Sequence, residues 1–302
     1  MRSVLTRRLR PVERVNVMVS VKVAALAGFT ALFATAAQSG AFAADMPRLL
    51  PPVELPPIVE DFGGWYLRGD IGMSNQRVKE LFNSDYALNR SVDTAQKSFD
   101  AAPLFGLGIG YQFNNWFRVD LTGEYRAKAN FKGLDIVRNT SNVAFTDDYT
   151  ASKSEWVGML NAYVDLGTWY NFTPFVGAGV GMSYNTIHDF KDTCATVSVC
   201  TGGSVATARD ASKWNFAWAL HAGVAYKVTN NFTVELAYRY INLGDAITGD
   251  LVAYDGTNQR YNPMEFRNIT SHDFKLGVRW LLDAPMQYER KSIELPPLMR
   301  KG

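Results

Sequence analysis

The chain has 302 residues, 31 Lys and Arg against 29 Asp and Glu, and a net charge of +2. That balance gives no reason to expect a nucleic-acid surface. It is aromatic-rich, with 7 Trp, 14 Tyr and 18 Phe, yet beyond residue 43 no run of about 18 apolar residues exists, which excludes a membrane-spanning helix there.

Residues 1–43 read as an export signal. Arg2, Arg7, Arg8, Arg10, Arg14 and Lys22 form a basic start, Val23 to Ala37 is uncharged and mostly apolar, and Ala41-Phe42-Ala43 is a small-x-small cleavage site. The basic region is long, and Met18 to Ala43 is already a complete signal, so Met1 and Met18 are both candidate starts. Cutting after Ala43 leaves 259 residues that begin Ala44-Asp45. The lost segment holds six Lys and Arg and one Glu, so the mature chain carries 25 basic and 28 acidic residues and its net charge becomes −3. Residues 44–62 contain Pro47, Pro51, Pro52, Pro56 and Pro57, an extended periplasmic tether of polyproline type.

Eight stretches of alternating polarity follow, over about 63–72, 103–112, 116–126, 154–166, 172–182, 213–228, 232–242 and 269–282. The clearest is Phe232–Tyr240. There Phe232, Val234, Leu236, Tyr238 and Tyr240 share one face, while Thr233, Glu235, Ala237 and Arg239 share the other. The connections after stretches two, four and six are short and rich in Asn and Gly. Those after one, three, five and seven run to roughly 25–30 residues and read as loops. This rhythm predicts an all-β fold over 63–282, an eight-stranded antiparallel up-and-down transmembrane β-barrel with short turns on one rim and long loops on the other. Residues 283–302 form a C-terminal tail.

Parity assigns Arg68, Asp70, Arg118, Asp120, Glu124, Arg126, Asp165, Glu235, Arg239, Asp273, Lys275 and Arg279 to the lumen. Eight strands enclose a lumen that side chains fill, and a lone buried charge there costs several kcal/mol. Six cations and six anions point to a salt-bridged plug, with a narrow gated pore through the same network as the alternative. Gly106, Gly108 and Gly110, and Gly177, Gly179 and Gly181, recur at period two on the lumen side and relieve crowding. Outward aromatics form two girdles: Trp65, Tyr111, Phe113, Phe117, Phe172, Tyr226 and Phe232 near the short turns, and Tyr125, Trp156, Trp214 and Tyr240 near the long connections.

Cys194 and Cys200 lie in an exported chain without a ligand cluster around them, which reads as a disulfide and gives no metal site. His221 falls on the inward face. Ser271 and His272 point to opposite faces and cannot form a nucleophile–base pair. His188 reads as part of an acidic, solvated loop. No Gly-x-Ser-x-Gly, His-Glu-x-x-His or phosphate-cradling loop is present. The expectation is a chain that is no enzyme, has no catalytic residues and needs no cofactor.

With Gly64–Asp70 (GWYLRGD), Gly106–Tyr111 (GLGIGY) and Glu235–Tyr240 (ELAYRY) behind an Ala-Asp mature start, residues 44–282 resemble the small alphaproteobacterial outer-membrane barrels, the Omp25/Omp31-like group of the opacity-type and OmpA-type superfamily. The resemblance implies an envelope-stabilising, surface-exposed protein, with outer-membrane lipid and the barrel assembly machinery as partners and both termini periplasmic. It also makes Ala44 and Asp45 candidate peptidoglycan attachment residues, the other reading being that they are what signal cleavage leaves. The tether would span about 53 Å if fully polyproline-like. One departure is the tail beyond Trp280, which places the expected aromatic terminus inside the chain. Its Ile293–Leu298 (IELPPL) echoes Val53–Ile58 (VELPPI). The functional alternatives are a narrow porin and a loop-mediated adhesin, for which Phe131, Phe145, Tyr149, Tyr254 and Tyr261 are natural contact residues. Oligomeric state is left open.

Overall fold

The computed structural model describes residues 63–282 apart from 195, 197–199, 201–203 and 259. The expected signal, tether, attachment residues and tail lie outside the described residues. Among the described residues eleven strands form: β1 (Gly64–Phe82), β2 (Ser91–Phe99), β3 (Ala102–Gln112), β4 (Phe117–Arg138), β5 (Ala144–Asp165), β6 (Phe172–Cys194), β7 (Val205–Ala208), β8 (Ala211–Lys227), β9 (Phe232–Ile247), β10 (Leu251–Ala253) and β11 (Glu265–Leu281).

Eight of them close a ring in the order β1-β3-β4-β5-β6-β8-β9-β11, each antiparallel to both neighbours, with β11 returning to β1. Following paired residues once round from Gly64, through Gln112, Arg118, Tyr163, Gly177, His221, Arg239 and Asp273, returns to β1 at Ser74, ten residues further along. That stagger, the shear of the barrel, forces the strands to tilt by about 40° from its axis.

The short connections are built as their residues demand. Asn114 Oδ1 accepts from the N–H groups of Trp116 (3.0 Å) and Phe117 (2.7 Å). Tyr170 and Asn171, in the β5–β6 turn, take left-handed backbone angles, φ 50° and 68°. On the opposite rim the structure departs from the pattern expected of these residues. The segments expected as long loops are largely strand. β4, β5 and β6 run 22, 22 and 23 residues, twice the 9–11 that cross a bilayer. The short β2 pairs along the upper part of β4, taking the place of β3, while β7 pairs along the upper part of β6 and β10 pairs with β7. Loop composition was misleading because polar residues there face water on one side only.

This extension has a core of its own. Phe99, Phe131, Phe190 and Phe266 are buried and in ring contact, with centroids 4.9 Å apart for Phe99–Phe131 and Phe131–Phe266. Val78, Leu81, Ile187, Leu243, Met264 and Ile269 surround them. The chain thus inverts its polarity along its length: apolar side chains face outward on the lower strands and inward above. Cys194 and Cys200 are joined by a disulfide in this region, their Cα atoms 6.1 Å apart.

Further out in the same extension, Asp135 and Asp147 pair across β4 and β5, and Asp192 faces Tyr149 across β5 and β6. Burial, reinforced by the neighbouring aspartates, pushes the Asp192 carboxyl up to about 8 and that of Asp147 up to about 6. A carboxyl whose folded value lies above its unfolded one, near 4, keeps its proton in the closed cap while the opened segment has already lost it. Cap stability is therefore full below about pH 4 and is lost as pH rises towards 8. Discounting the shift by more than half for solvent relaxation leaves a loss on the order of 2 kcal/mol. Amide exchange of β5 and β6 tips in proteoliposomes, compared at pH 5.5 and 8.5, should show the cap opening more often at the higher pH. Asp192→Asn should flatten that difference; an unchanged dependence would locate the pH sensitivity elsewhere.

Candidate functional site in the barrel lumen

The outer surface of the ring is apolar. Leu67, Ile71, Leu107, Leu121, Leu160, Val180, Leu220, Leu236 and Leu276 are all exposed. Bands of aromatic contacts edge this belt. Near the short turns lie Trp65–Tyr111 (5.3 Å between centroids), Phe113–Phe117 (5.6 Å), Phe172–Tyr226 (4.8 Å) and Phe232–Trp280 (5.9 Å). Towards the other rim lie Tyr125–Trp156 (4.8 Å), Tyr184–Trp214 (4.7 Å) and Trp218–Tyr240 (5.5 Å). Nonpolar surface on this scale is stable only against hydrocarbon, with the rings at the headgroup level.

Inside, alternate residues of the same strands meet as charges. At the short-turn end the Arg118 guanidinium stacks over the rings of Tyr163 (4.2 Å) and Phe175 (4.8 Å) and pairs with Asp165 (3.3 Å) and Glu235 (3.4 Å). Arg279 also reaches Glu235, at 3.5 Å. Below them opens a polar vestibule of about 200 Å³ lined by Asp165, Lys227, Asn231 and Arg279. At mid-height Arg68 bridges Asp70 (3.0 Å) and Asp120 (2.7 Å), and the Tyr66 hydroxyl donates to Asp120 (3.2 Å). Above this, Arg239 holds Glu124 (2.6 Å) and Asp273 (2.7 Å), Arg126 holds the same two carboxylates (2.9 and 2.5 Å), and Lys275 joins Glu124 (3.3 Å) to Asp70 (3.2 Å).

The structure brings all twelve residues singled out by parity into this network and adds a pair. Lys153 contacts Glu155, Gln76 donates to Glu155 (2.7 Å), and Arg126 approaches Glu155 at 3.6 Å. Glu155 shares the parity of Asp165 and was readable in the sequence; Lys153 fell one residue before the expected strand start. Both are fully buried. The network then holds seven cations and seven anions. Neutral polar groups complete it: Asn161 donates to Asp120 (2.8 Å), and His221 Nε2 lies 3.2 Å from Asn161 Oδ1.

Two glycines show how tightly this fits. A Cβ on Gly110 would lie 2.2 Å from Tyr66 Cζ, and one on Gly179 would lie 2.1 Å from Asn161 Oδ1. Both contacts are far inside van der Waals separation, so a side chain at either position would displace a group that binds Asp120. Ser271 and His272 point apart: Ser271 Oγ donates to Asp273 (2.5 Å) inside, while His272 meets the Tyr238 hydroxyl (2.6 Å) outside. His188, expected in a loop, sits within β6.

An up-and-down barrel with a lipid-compatible exterior and an ionic bore is the architecture of an outer-membrane protein of the bacterial envelope. The chain belongs to the family described as the outer membrane protein beta-barrel domain, whose model matches residues 24–280. An uncharacterized protein of Brucella abortus is 34% identical over 238 residues, covering 72% of this chain and 80% of its own. Outer membrane protein PagN of Salmonella typhimurium is 27% identical, covering 72% and 89%. A Rickettsia prowazekii protein that carries the name adhesin is 29% identical, covering 72% and 86%. Among solved structures, OprG from Pseudomonas aeruginosa is similar at 15% identity and a TM-score of 0.43, covering 73% of this chain and 97% of its own. The short turns of such barrels face the periplasm and the extended rim faces the exterior.

Proposed function

We propose that the chain is a closed, structural barrel of the outer membrane that stabilises the envelope, joined to peptidoglycan through Ala44 or Asp45, and that its lumen has no catalytic role. The carrying observation is the filling of the lumen. A neutralised ionic network occupies the lower half, and the phenylalanine cluster stands above it on the same axis. An ion crossing would have to break several buried pairs and then pass apolar side chains, each step costing several kcal/mol. Refolded mature protein in planar bilayers should therefore give no defined open state. A reproducible unitary conductance would favour the narrow porin instead. Mass spectrometry of peptides released from purified sacculi tests the tether: a muropeptide on the Ala44 peptide is the expected product.

A role in adhesion is favoured by one separate feature, the folded extension that stands clear of the membrane. Tyr254 and Tyr261 are 81% and 71% exposed there and are the contact residues on this reading. Phe131 and Tyr149, natural candidates in the sequence, are 1% and 3% exposed and build the core instead. Binding of whole cells to a host-surface glycan array, with and without Tyr254→Ala and Tyr261→Ala, checks this reading.

A further inference from the structure

Above the aromatic belt, on the outside of the barrel, three side chains from separate elements stand in a chain of hydrogen bonds. Ser154 of β5 has its hydroxyl 3.0 Å from Nε2 of His188 on β6. His188 Nδ1 lies 2.7 Å from Oδ2 of Asp210, in the link between β7 and β8. The backbone N–H of Asp189 donates to the other carboxylate oxygen of Asp210 at 3.2 Å. Asp189 is held at φ 53° beside a register shift between Thr150 and Ser152. This is the order of a nucleophile, a general base and a carboxylate that orients the base: the hydroxyl donates to Nε2, and Nδ1–H donates to the carboxylate. We propose that Ser154, His188 and Asp210 form a serine esterase site for the fatty-acyl esters of membrane lipids.

Its position selects that substrate. Asp165 to Ser154 is eleven residues, which at about 3.3 Å each and a tilt of about 40° rises roughly 28 Å from the periplasmic rim. An apolar belt is about 25 Å tall, so Ser154 stands at the outer headgroup level, where ester linkages lie. Trp156, two residues below on the same face, is 60% exposed. Beneath it Gly123 and Gly158 face each other across β4 and β5 with open space where side chains would be. Gly123 lines, with Phe105, Leu107, Tyr125 and Trp156, a groove on the lipid side suited to one acyl chain. Lys128 lies in the bulged stretch of β4 between Arg126 and Ala129, opposite Ser154, and is 3.7 Å from Asp189. Its ammonium is the available cation for a developing oxyanion or a lipid phosphate.

The reaction balances without a cofactor. Ser154 Oγ attacks the ester carbonyl carbon while its proton passes to His188 Nε2. The tetrahedral oxyanion collapses, the acyl C–O bond breaks, and the alcohol leaves with the proton from His188. Water, deprotonated by His188, then attacks the acyl-serine, releasing the fatty acid and restoring the hydroxyl. Asp210 acts through His188 and is a positioning residue.

The test uses full-length mature protein refolded in vesicles, with heat-modifiable migration as the folding control for every variant. A fluorophosphonate probe should label Ser154, identified by peptide mass spectrometry. Ser154→Ala should abolish labelling and His188→Gln should lower its rate at least a hundredfold. Asp210→Asn should slow it at least tenfold and change its pH profile, while Asp210→Glu retains much of the rate. Vesicles of diacyl phospholipid and vesicles containing lipopolysaccharide distinguish the two sources of ester, and free fatty acid released from either supports the assignment. Labelling without release from either overturns the lipid substrate. No labelling of folded protein above the Ser154→Ala level between pH 6 and 9 overturns the site.

Discussion

Replacing Arg239 by Met should destabilise the barrel by about 3–5 kcal/mol, the cost of breaking a buried ion pair from one side. Arg239 lies between two carboxylates, Glu124 and Asp273, and is itself 2% exposed. Without it both acids remain where water cannot solvate them, with Arg126 and Lys275 as their remaining partners. The methionine fills much of the vacated volume, so lost charge rather than a cavity carries the effect. A surface pair supplies the contrast. Lys213 and Asp245 lie 3.1 Å apart but are 41% and 38% exposed, and Lys213→Ala should cost less than about 1 kcal/mol. Urea unfolding of both variants in lipid vesicles, followed by tryptophan fluorescence, reads the two values side by side. Equal midpoints would mean the lumen is hydrated well enough to solvate its own charges, and the case for a sealed bore would fail.

Leu236→Arg should cost about 2–4 kcal/mol in a bilayer, although Leu236 is 64% exposed. The residue lies midway along the outward face of β9, beside Val224 of β8 and Leu276 of β11. In a water-soluble protein an arginine at so open a position would change stability by no more than about 0.5 kcal/mol. In lipid the guanidinium must be dragged into hydrocarbon or snorkel several residues to an interface. Leu236→Ala, which keeps the face apolar, is the control and should retain most of the stability. Guanidinium unfolding in vesicles of defined thickness measures both. A harmless arginine would show that this face does not meet hydrocarbon.

Both expectations rest on alternation, and alternation was the legible part of the sequence. Phe232–Tyr240 announces its two faces by parity, and the recurrence of that pattern between short Asn-rich turns gives the strand count. Glu235 and Arg239 could be placed inside on the same ground, because period two leaves no third choice. Partners could not be read. Glu124 meets Arg239 across 115 positions, and which cation faces which acid depends on how far each strand slides against the next.

The extension above the membrane was hidden for a related reason. Alternation there continues but swaps its faces: Phe131 and Phe266 turn inward where Leu121 and Phe274 turn outward. Parity says which residues share a face without saying what that face meets. Ser154, His188 and Asp210 were invisible together, since His188 stands 34 positions from one partner and 22 from the other and only the registers of β5 and β8 against β6 bring them within hydrogen-bond reach. The residues by themselves determined the number of crossing strands and the two faces of each, because these follow from local chemistry and a two-residue repeat. Only the closed ring decided the shear, and with it the ionic partners, the folded cap and the triad on the rim, because those contacts join strands far apart in the chain.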